Sequence, residues 1–397
     1  MNLLDQILDS TEEVETPRSY IFWSVLAAVS SLIKRNIYFD KFYYKVYCNI
    51  YVLIVGKSGL RKSYAINKIA KGLVEQVNNT RIISGRNSIQ GIIKELSTAT
   101  TMPNGGAPLL DACAACFSEE FYNLILDDKG ALKILIELYD TNYTQDWKNT
   151  LKGNQEKLKN VYVTLLGATT PEGFREKVSE ADTKGGFVAR TLVIRETEKG
   201  FVNSLMEAPK KIFDPTEYKD YLLEISKLKG EMKMIESVRI FYDKWYRGHD
   251  ELAKKKNDPT GFLERLNDHV LKTAMLLSLC RSTSMIIDQI DIEMAIELCQ
   301  DLARDVALVT EGSGKSQFGR QTGVVLEIIA NTPGGSITKR NLLRQCYGDV
   351  SDSELNFVMG TLTEMGAITV LRAGAETKYV MNPERLKEYQ GYRRKVR

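Results

Sequence analysis

The chain has 397 residues, of which 43% are hydrophobic and 26% charged, and its formal net charge is +3. This is the composition of an ordinary soluble globular protein, and the length allows two or three domains, each with its own core. No apolar run reaches the roughly 18 residues that a membrane span needs, and the acidic start lacks the basic region of a signal peptide. We therefore expect no membrane partner and a cytoplasmic location, in the cytosol or nucleoid.

In chain order, the first 45 residues have a helical apolar pattern that reaches to about Asp40. The run NIYVLIV then predicts a strand that is buried on both faces. It leads into the glycine loop GKSGLRKS and an amphipathic helix, which together form the first β–α unit of a parallel sheet.

Further strands and helices alternate after this unit. The predicted strands are Arg81–Ile83, Leu109–Phe117, Val161–Leu166 and Thr191–Ile194. The predicted helices between them are Ser88–Leu96 and Phe121–Tyr139. This alternation predicts that residues 46–212 form a three-layer α/β domain.

The rest of the chain has a different pattern. Residues 213–311 are nearly all helical, and residues 312–320 form a polar linker. Residues 321–397 have the pattern of a winged helix with a basic tail. Its second helix begins at Ser336 or Thr338, and its third is capped by Ser351, with Glu354 in the capping-box position. That helix ends at Gly366, before a β-hairpin.

The cysteines do not indicate a metal site. Six are scattered along the chain, and the pair Cys113 and Cys116 lies in an apolar run with no second pair. A zinc site needs about four ligands, and the chain has only two histidines. We therefore expect buried thiols.

The glycine loop matches the phosphate-binding pattern G-x-x-x-x-G-K-[ST], except that Arg61 replaces the second glycine. Its positions are Gly56, Lys57, Ser58, Gly59, Leu60, Arg61, Lys62 and Ser63. Backbone N–H groups of such a loop point at phosphates, Lys62 would reach the β- and γ-phosphates of ATP, and Ser63 would bind Mg²⁺. A chance match in a turn is the alternative, but the strand before the loop and the helix after it are the context that the motif requires.

Two carboxylates follow the strand at Leu109–Phe117. We expect Glu119 to lie on the Mg²⁺ side and Glu120 to act as the general base that activates water. The alternative is a pair of solvated acids at the start of a helix, where the dipole favours them.

Polar residues also mark the next two strands. Thr169 or Thr170 is a candidate sensor that would hydrogen-bond the attacking water or the γ-phosphate, although either could simply cap the following helix. Arg190 precedes the strand at Thr191–Ile194, and it could be an arginine finger that acts in a neighbouring subunit. That role requires an oligomer.

These elements and their order resemble the AAA+ replicative helicases of the minichromosome-maintenance type. They are more similar to a poorly characterised family of helicase-like proteins from phages and mobile elements. The resemblance covers about residues 20–310, and the motifs that carry it are GKSGLRKS, SEE at 118–120, GATTPEGF, FVARTLVI and FLERLNDHVLKTAMLL. Arg61 in place of glycine and Glu119 in place of aspartate depart from the family pattern.

The resemblance implies a P-loop NTPase core of the AAA+ type, an all-α lid and a homo-oligomer, most simply a hexamer. It also implies that Arg265 of the lid contacts the nucleotide, with Lys272 as a second basic residue. The alternative for Arg265 is an exposed arginine on an amphipathic helix.

A DNA contact is expected in the insert between Glu120 and the sensor strand. In the resembling helicases this insert grips DNA, and here it supplies Trp147, Lys148 and Lys152. We expect the DNA partner to be single-stranded. A solvated hairpin with incidental lysines is the alternative. The winged helix is a weaker DNA candidate and could instead bind a replication partner.

The sequence thus predicts an ATP- and Mg²⁺-dependent, ring-forming DNA helicase or translocase that acts in phage or mobile-element replication, in a bacterial or infected cell. The alternative is an ATP switch, an initiator or loader that remodels DNA or a protein without processive unwinding. A module that only binds is disfavoured because Lys62, Ser63 and Glu120 are all present.

Overall fold

The computed structural model describes residues 2–77, 80–85, 87–98, 100–101, 109–124, 130–140, 147–148, 157–178, 186–202, 210–256, 258–310, 318–348, 350–373 and 376–390. It divides into two compact units. The first comprises Met1–Phe174 and Ala181–Val306, and the second comprises Arg175–Glu180 and Ala307–Arg397. The finer domain boundaries expected at residues 45/46 and 212/213 remain predictions.

The first unit is built on a five-stranded, all-parallel sheet. Its strands are β3 (Tyr51–Val55), β4 (Arg81–Ser84), β7 (Cys113–Ser118), β10 (Tyr162–Thr169) and β11 (Thr191–Arg195). They lie in the order β11-β3-β10-β7-β4, so the strand before the glycine loop has a neighbour on each side. This confirms the predicted mixed α/β class with a parallel sheet, an arrangement compatible with three layers.

The predicted strand at Leu109–Phe117 is wrong in its extent. It consists of two separate strands, β6 (Leu109–Leu110) and β7. Between them Asp111 accepts hydrogen bonds from the Cys113 thiol and, at 2.9 Å, from the Asn160 amide. A carboxylate with these partners breaks the run of apolar residues, and β7 begins only after it.

Helices surround this sheet. They are α1 (Leu3–Ser10), α2 (Arg18–Ile33), α3 (Lys62–Tyr64), which continues as a π-helix (Ala65–Lys71) and α4 (Gly72–Glu75), then α5 (Ile89–Ser97), α6 (Ala131–Tyr139) and α7 (Pro171–Lys177). Helix α2 is buried along its whole length from Ser19 to Ile33, as expected for a helix that is apolar on all sides. It is therefore part of the core of the unit.

The helical pattern expected up to Asp40 was wrong at its end. Ile37–Asp40 form β1, which pairs antiparallel with β2 (Lys45–Tyr47) and parallel with β12 (Gly230–Glu231). Isoleucine, tyrosine and phenylalanine at Ile37–Phe39 suit a half-buried strand, and local helical spacing alone did not reveal that partner strands exist.

The region after Pro215 is mainly helical, as predicted. Its helices are α8 (Lys219–Lys227), α9 (Glu236–Lys255), α10 (Leu266–Arg281) and α11 (Gln289–Thr310). The short strands β13 (Lys233–Met234) and β14 (Ile286–Ile287) pair parallel. Two further short pairs lie earlier in the chain: β5 (Thr100–Thr101) with β6, and β8 (Trp147–Lys148) with β9 (Lys157–Leu158).

The second unit contains α12 (Gly319–Asn331), β15 (Ser336–Thr338), α13 (Lys339–Cys346), α14 (Asp352–Glu364), β16 (Ile368–Ala373), β17 (Glu376–Met381) and α15 (Pro383–Gln390). Its three strands form one sheet in the order β15-β17-β16. Ser351 and Glu354 form the predicted capping box, and Thr338 caps α13. Gly366 has a φ of 69°, which suits its predicted place after the helix.

All six cysteines are buried thiols, as predicted. Among the helices of the described chain, none is long and apolar enough to cross a membrane.

Candidate functional site

The glycine loop (Gly56–Ser63) leaves β3 at the carboxyl-terminal edge of the sheet. The Gly56 N–H donates to the carbonyl of Thr169, at the end of the neighbouring β10, at 3.2 Å. A Cβ on Gly56 would overlap the hydroxyl of Tyr20, which itself donates to the Val55 carbonyl at 2.7 Å. Glycine is therefore required at the first position of the loop, and the loop is fixed to two elements of the core.

Arg61, the departure from the glycine pattern, lies in the left-handed region with a φ of 54°. For a residue with a side chain this conformation costs about 1–2 kcal/mol. The Arg61 guanidinium donates to the Glu15 carboxylate at 2.6 Å, and its carbonyl accepts from the Thr16 hydroxyl at 3.1 Å. Lys199 also binds Glu15, and the bonds from Lys199 and Arg61 lower the pKa of that carboxyl. These bonds stabilise a left-handed backbone conformation that glycine would adopt without this cost.

Lys62 lies at the mouth of the loop. Its ammonium group donates to the carbonyls of Gly56, at 2.5 Å, and Lys57, at 2.9 Å. Burial lowers the pKa of Lys62, while the charges of Glu120 and Glu172 oppose that shift. The amine is thus folded back over the loop, within the field of two carboxylates.

The acidic strand end brings Glu119 to the same place. Ser63 and Asn67 hydrogen-bond its carboxylate and lower its pKa, and the Asn67 amide lies 2.6 Å from it. A serine hydroxyl and a carboxylate are oxygen ligands that suit Mg²⁺, which usually takes one or two carboxylates and completes its shell with phosphates and water. The residues present therefore fit this ion. In the described part of the chain, no group of three or more His, Cys, Asp or Glu side chains forms a denser metal cluster.

Glu120 follows on the same strand end and is exposed. Its backbone carbonyl accepts from the Ser118 hydroxyl at 2.7 Å, which fixes the turn that separates the two glutamates. Glu119 faces Ser63, whereas the charge of Glu120 acts on Lys62. The two adjacent carboxylates thus meet different partners, as their different predicted roles require.

The candidate sensors lie at the end of β10, beside the loop. Thr169 is buried, and its hydroxyl donates to the Thr170 carbonyl at 3.3 Å. The Thr170 hydroxyl accepts from the Gly173 N–H at 3.0 Å, so Thr170 caps the helix that starts at Pro171. The capping alternative therefore holds for Thr170, and the choice of sensor remains a prediction.

Arg190 lies at the opposite edge of the sheet. Arg190 directly precedes β11, and the first residue of β11 pairs with Tyr51 at the start of β3. The glycine loop follows the other end of β3. The length of a five-residue strand, about 16 Å, therefore separates Arg190 from the loop. The Arg190 guanidinium binds the carboxylate of Asp140, with the Nε–oxygen distance at 2.9 Å. The chain's own loop is therefore out of reach of this side chain.

Arg265 shares the same carboxylate, at 3.3 Å from Asp140 Oδ1. It belongs to a 3₁₀ turn that precedes α10, whereas the family pattern implied a place within the helix. Asp140 thus joins the two predicted arginines at the amino-terminal edge. Nothing in the sequence distinguishes this aspartate, because it follows α6 in a segment that carries no motif.

Lys272 is fully buried and is not placed to contact a nucleotide in this conformation. Its amine donates to the backbone and side-chain oxygens of Asn49, at 2.8 and 2.9 Å, and lies over the Tyr139 ring. Burial lowers the pKa of Lys272 to about 7. A neutral amine has two N–H groups, which match its two oxygen acceptors.

His269, on the same helix, binds the backbone of the residue that precedes Arg190. It is fully buried, its Nε2 lies 2.9 Å from the Ala189 carbonyl, and its ring stacks on Phe262. Burial lowers the pKa of His269 to about 4, so the neutral ring donates from Nε2. Sequence periodicity assigned no role to this histidine, since a buried histidine and an exposed one have the same spacing.

The predicted DNA-contact insert is described only at its base. There Lys148 lies directly opposite Lys157, and both are exposed. The Trp147 indole donates to Glu137 at 2.8 Å. Lys152 lies outside the described residues.

No family model matches the chain. A comparison with curated proteins also found no significant match.

Proposed function

We propose that this chain hydrolyses ATP, bound with Mg²⁺ at the glycine loop Gly56–Ser63. The observation that carries the proposal is the meeting of the helix after the loop with the acidic strand end, where the Asn67 amide donates to Glu119 at 2.6 Å, beside an amine that folds over the loop. These groups come from two different strand ends, and a chance match in a turn would not bring them together. The function rests on this juxtaposition.

The residues divide the chemistry between them. The loop N–H groups and Lys62 hold the β- and γ-phosphates. When ATP binds, the phosphate oxygens replace the Gly56 and Lys57 carbonyls as hydrogen-bond acceptors of the Lys62 amine. Ser63 and Glu119 would hold Mg²⁺, which neutralises charge on the phosphate oxygens. Glu120 accepts the proton of the attacking water, and Thr169 or Thr170 orients that water.

The position of the arginines supports a site shared between subunits. Arg190 and Arg265 lie at the edge opposite their own glycine loop, held by Asp140. In an assembly that packs this edge against the glycine-loop edge of the next subunit, they would stabilise charge on the neighbour's phosphates. We propose a homo-oligomeric AAA+-like ring, most simply a hexamer.

We further propose that the ring moves along single-stranded DNA and acts as a helicase or translocase in phage or mobile-element replication, in the cytoplasm. The base of the insert supports a polyanion partner, because Lys148 and Lys157 face each other across a strand pair. Like charges placed opposite one another destabilise a strand pair, and a phosphate would relieve that repulsion. The second unit, with the element order of a winged helix, would bind DNA or a replication partner.

Mixing of two inactive variants tests the shared site. Lys62→Ala should lose nucleotide binding, and Arg190→Ala should bind ATP normally but lose about 10³-fold in turnover. A mixture of the two should recover part of the activity, because some interfaces then combine an intact loop with an intact Arg190. No recovery, in a mixture shown to form joint assemblies, would refute the shared site.

An unwinding assay on a forked DNA substrate then separates the motor from the switch. Strand displacement that needs ATP supports the helicase. Turnover stimulated by single-stranded DNA, without displacement of the second strand, would favour a non-processive initiator or loader.

A further inference from the structure

The turn between β1 and β2 exposes two adjacent aromatic side chains. Phe42 is 85% exposed and Tyr43 is 93% exposed. Turns of this kind are normally formed by glycine, asparagine or aspartate, which accept unusual backbone conformations and lose nothing in water. Two exposed aromatic residues are a feature of interaction surfaces, where such side chains provide much of the binding energy.

Hydrogen bonds define the conformation of the turn, and at its tip the Phe42 ring is approached by the Arg239 guanidinium, 6.0 Å from the ring centroid. The Lys41 N–H donates to the Tyr44 carbonyl at 3.0 Å, and the Phe42 N–H donates to the Asp40 carboxylate at 2.8 Å. Phe42 has a φ of 65°, a left-handed conformation that is uncommon for a bulky residue. The backbone of the turn is thus held in one conformation, so docking would not need to order it and only the side chains of Phe42 and Tyr43 would lose freedom.

Contacts connect the turn to the arginine edge. The Lys41 ammonium and the Tyr44 hydroxyl each lie 3.1 Å from the same oxygen of Asp268. Asp268 is in the first turn of α10, three positions after Arg265, which binds Asp140. Burial is the largest influence on Lys41 and disfavours its charge, but Asp268, Tyr242 and Tyr44 together outweigh burial and raise the pKa of Lys41, so its ammonium group stays charged. The aromatic turn and Arg190 therefore belong to one edge.

The opposite edge carries an apolar counterpart. Phe201 is 42% exposed and Val202 is 76% exposed. They directly follow Gly200, whose N–H donates to the Glu15 carbonyl at 3.1 Å, and Glu15 binds Arg61 of the glycine loop. An exposed apolar pair thus lies beside the loop, while an exposed aromatic pair lies at the edge that carries the arginines.

We propose that Phe42 and Tyr43 of one copy of this chain pack on Phe201 and Val202 of the next copy. The contact is head-to-tail, because two different surfaces meet, and repetition of such a contact closes a ring when the rotation permits. It places Arg190 of one copy on the side of the glycine loop of its neighbour. The inference rests on the proposed function, since it identifies the surface that would form the shared site.

Disulfide trapping tests the contact. A single chain carrying Tyr43→Cys and Val202→Cys should give, under mild oxidation with an ATP analogue, a ladder of covalent multimers longer than the dimer. The six native thiols are buried, and each single variant is the control that lacks one half of the contact. A double variant that gives no multimers beyond those of the single variants overturns the inference.

Assembly measurements with the Phe42→Ser/Tyr43→Ser variant make the test independent of trapping. The variant should assemble at least tenfold less readily and should lose turnover in proportion, while its ATP binding is unchanged. Tyr347→Ser, which removes an 87% exposed aromatic residue of the second unit, should assemble like the wild type. Arg190→Ala should lose turnover but still assemble, whereas Phe42→Ser/Tyr43→Ser should lose both. Comparison of these two variants therefore separates docking from catalysis.

The outcomes distinguish the two proposals. Normal assembly and turnover of the Phe42→Ser/Tyr43→Ser variant would overturn the docking inference and leave the proposed function intact. Loss of single-stranded DNA binding with normal assembly would also overturn it, since the aromatic pair would then contact nucleic acid. Full ATPase activity of a wild-type monomer would overturn the docking inference and the shared site, while ATP hydrolysis at the glycine loop would stand.

Discussion

The two edges of the central sheet differ in what their charged groups do. At the carboxyl-terminal edge, Lys62, Glu119 and Glu120 are at least partly accessible, and their nearest partners are loop carbonyls or small polar side chains. At the amino-terminal edge, Arg190, Asp140 and Lys272 bind one another or buried carbonyls. One edge leaves its charged groups accessible to a ligand, whereas the other holds Arg190 in an ion pair with Asp140 and buries Lys272 against Asn49. This difference is the reason for our proposal that the site is completed when the edges of two copies meet.

The largest expected effect is a loss of turnover from a substitution at the carboxyl-terminal edge. Glu120→Gln should bind ATP normally and hydrolyse it about 10²–10⁴-fold more slowly, because the amide cannot accept a proton from water. Turnover and nucleotide affinity are measured separately. Glu172→Gln is the matched control, since Glu172 also acts on Lys62 by its charge and should change turnover by no more than about threefold. An active Glu120→Gln enzyme would remove Glu120 from the role of base.

A smaller effect is expected where the two arginines meet. Asp140→Asn keeps the shape of the side chain but loses the charge that aligns Arg190 and Arg265. We expect turnover to fall about tenfold, with ATP affinity and assembly unchanged, because charge-assisted bonds hold such groups about twice as strongly as neutral ones. Glu137→Gln, a change of the same kind on the preceding helix, should leave DNA-free turnover unaltered. Equal losses in both variants would mean that Asp140 has only a general structural effect.

The smallest expected effect is a pH-dependent change in the free energy of unfolding, caused by Lys272 at the amino-terminal edge. Because burial lowers the pKa of Lys272 from 10.5 to about 7, the unfolded chain binds a proton between these values that the folded chain does not. The stability of the wild type relative to Lys272→Met should therefore fall as the pH is lowered from about 10 to about 7, and then level off below 7. Denaturant unfolding of both proteins across this range measures the difference. A constant difference would show that Lys272 is charged in the folded protein.

Local patterns in the sequence were sufficient for the elements that depend on neighbours along the chain. The buried strand before Gly56, the cap at Ser351 and the contact between Ser63 and the acidic strand end all follow from short motifs with known spacing. The order of five parallel strands is compatible with this pattern of alternating elements.

The sequence could not reveal contacts made between distant segments. Glu15 and Asp140 each bind a predicted arginine, yet they lie in stretches without a motif, and only the folded chain brings them there. The burial of Lys272 was missed for the same reason. Its helix is buried on all sides by distant segments, and helical spacing does not reveal that the face carrying Lys272 is also covered. The strand at Ile37–Asp40 was missed because one of its two partner strands, Gly230–Glu231, lies far away in the sequence, and helical spacing carries no information about such pairing.

The left-handed Arg61 links the glycine loop to a segment 46 positions upstream. Every recognisable motif begins after residue 50, so a fragment chosen by motif boundaries would start too late. Without residues 11–17 such a fragment would keep the unfavourable backbone conformation and lose the carboxylate and hydroxyl that offset it. The smallest fragment that keeps the loop intact therefore includes the amino-terminal helices, and the folded unit that supports the loop is longer than the motifs by which the loop is recognised.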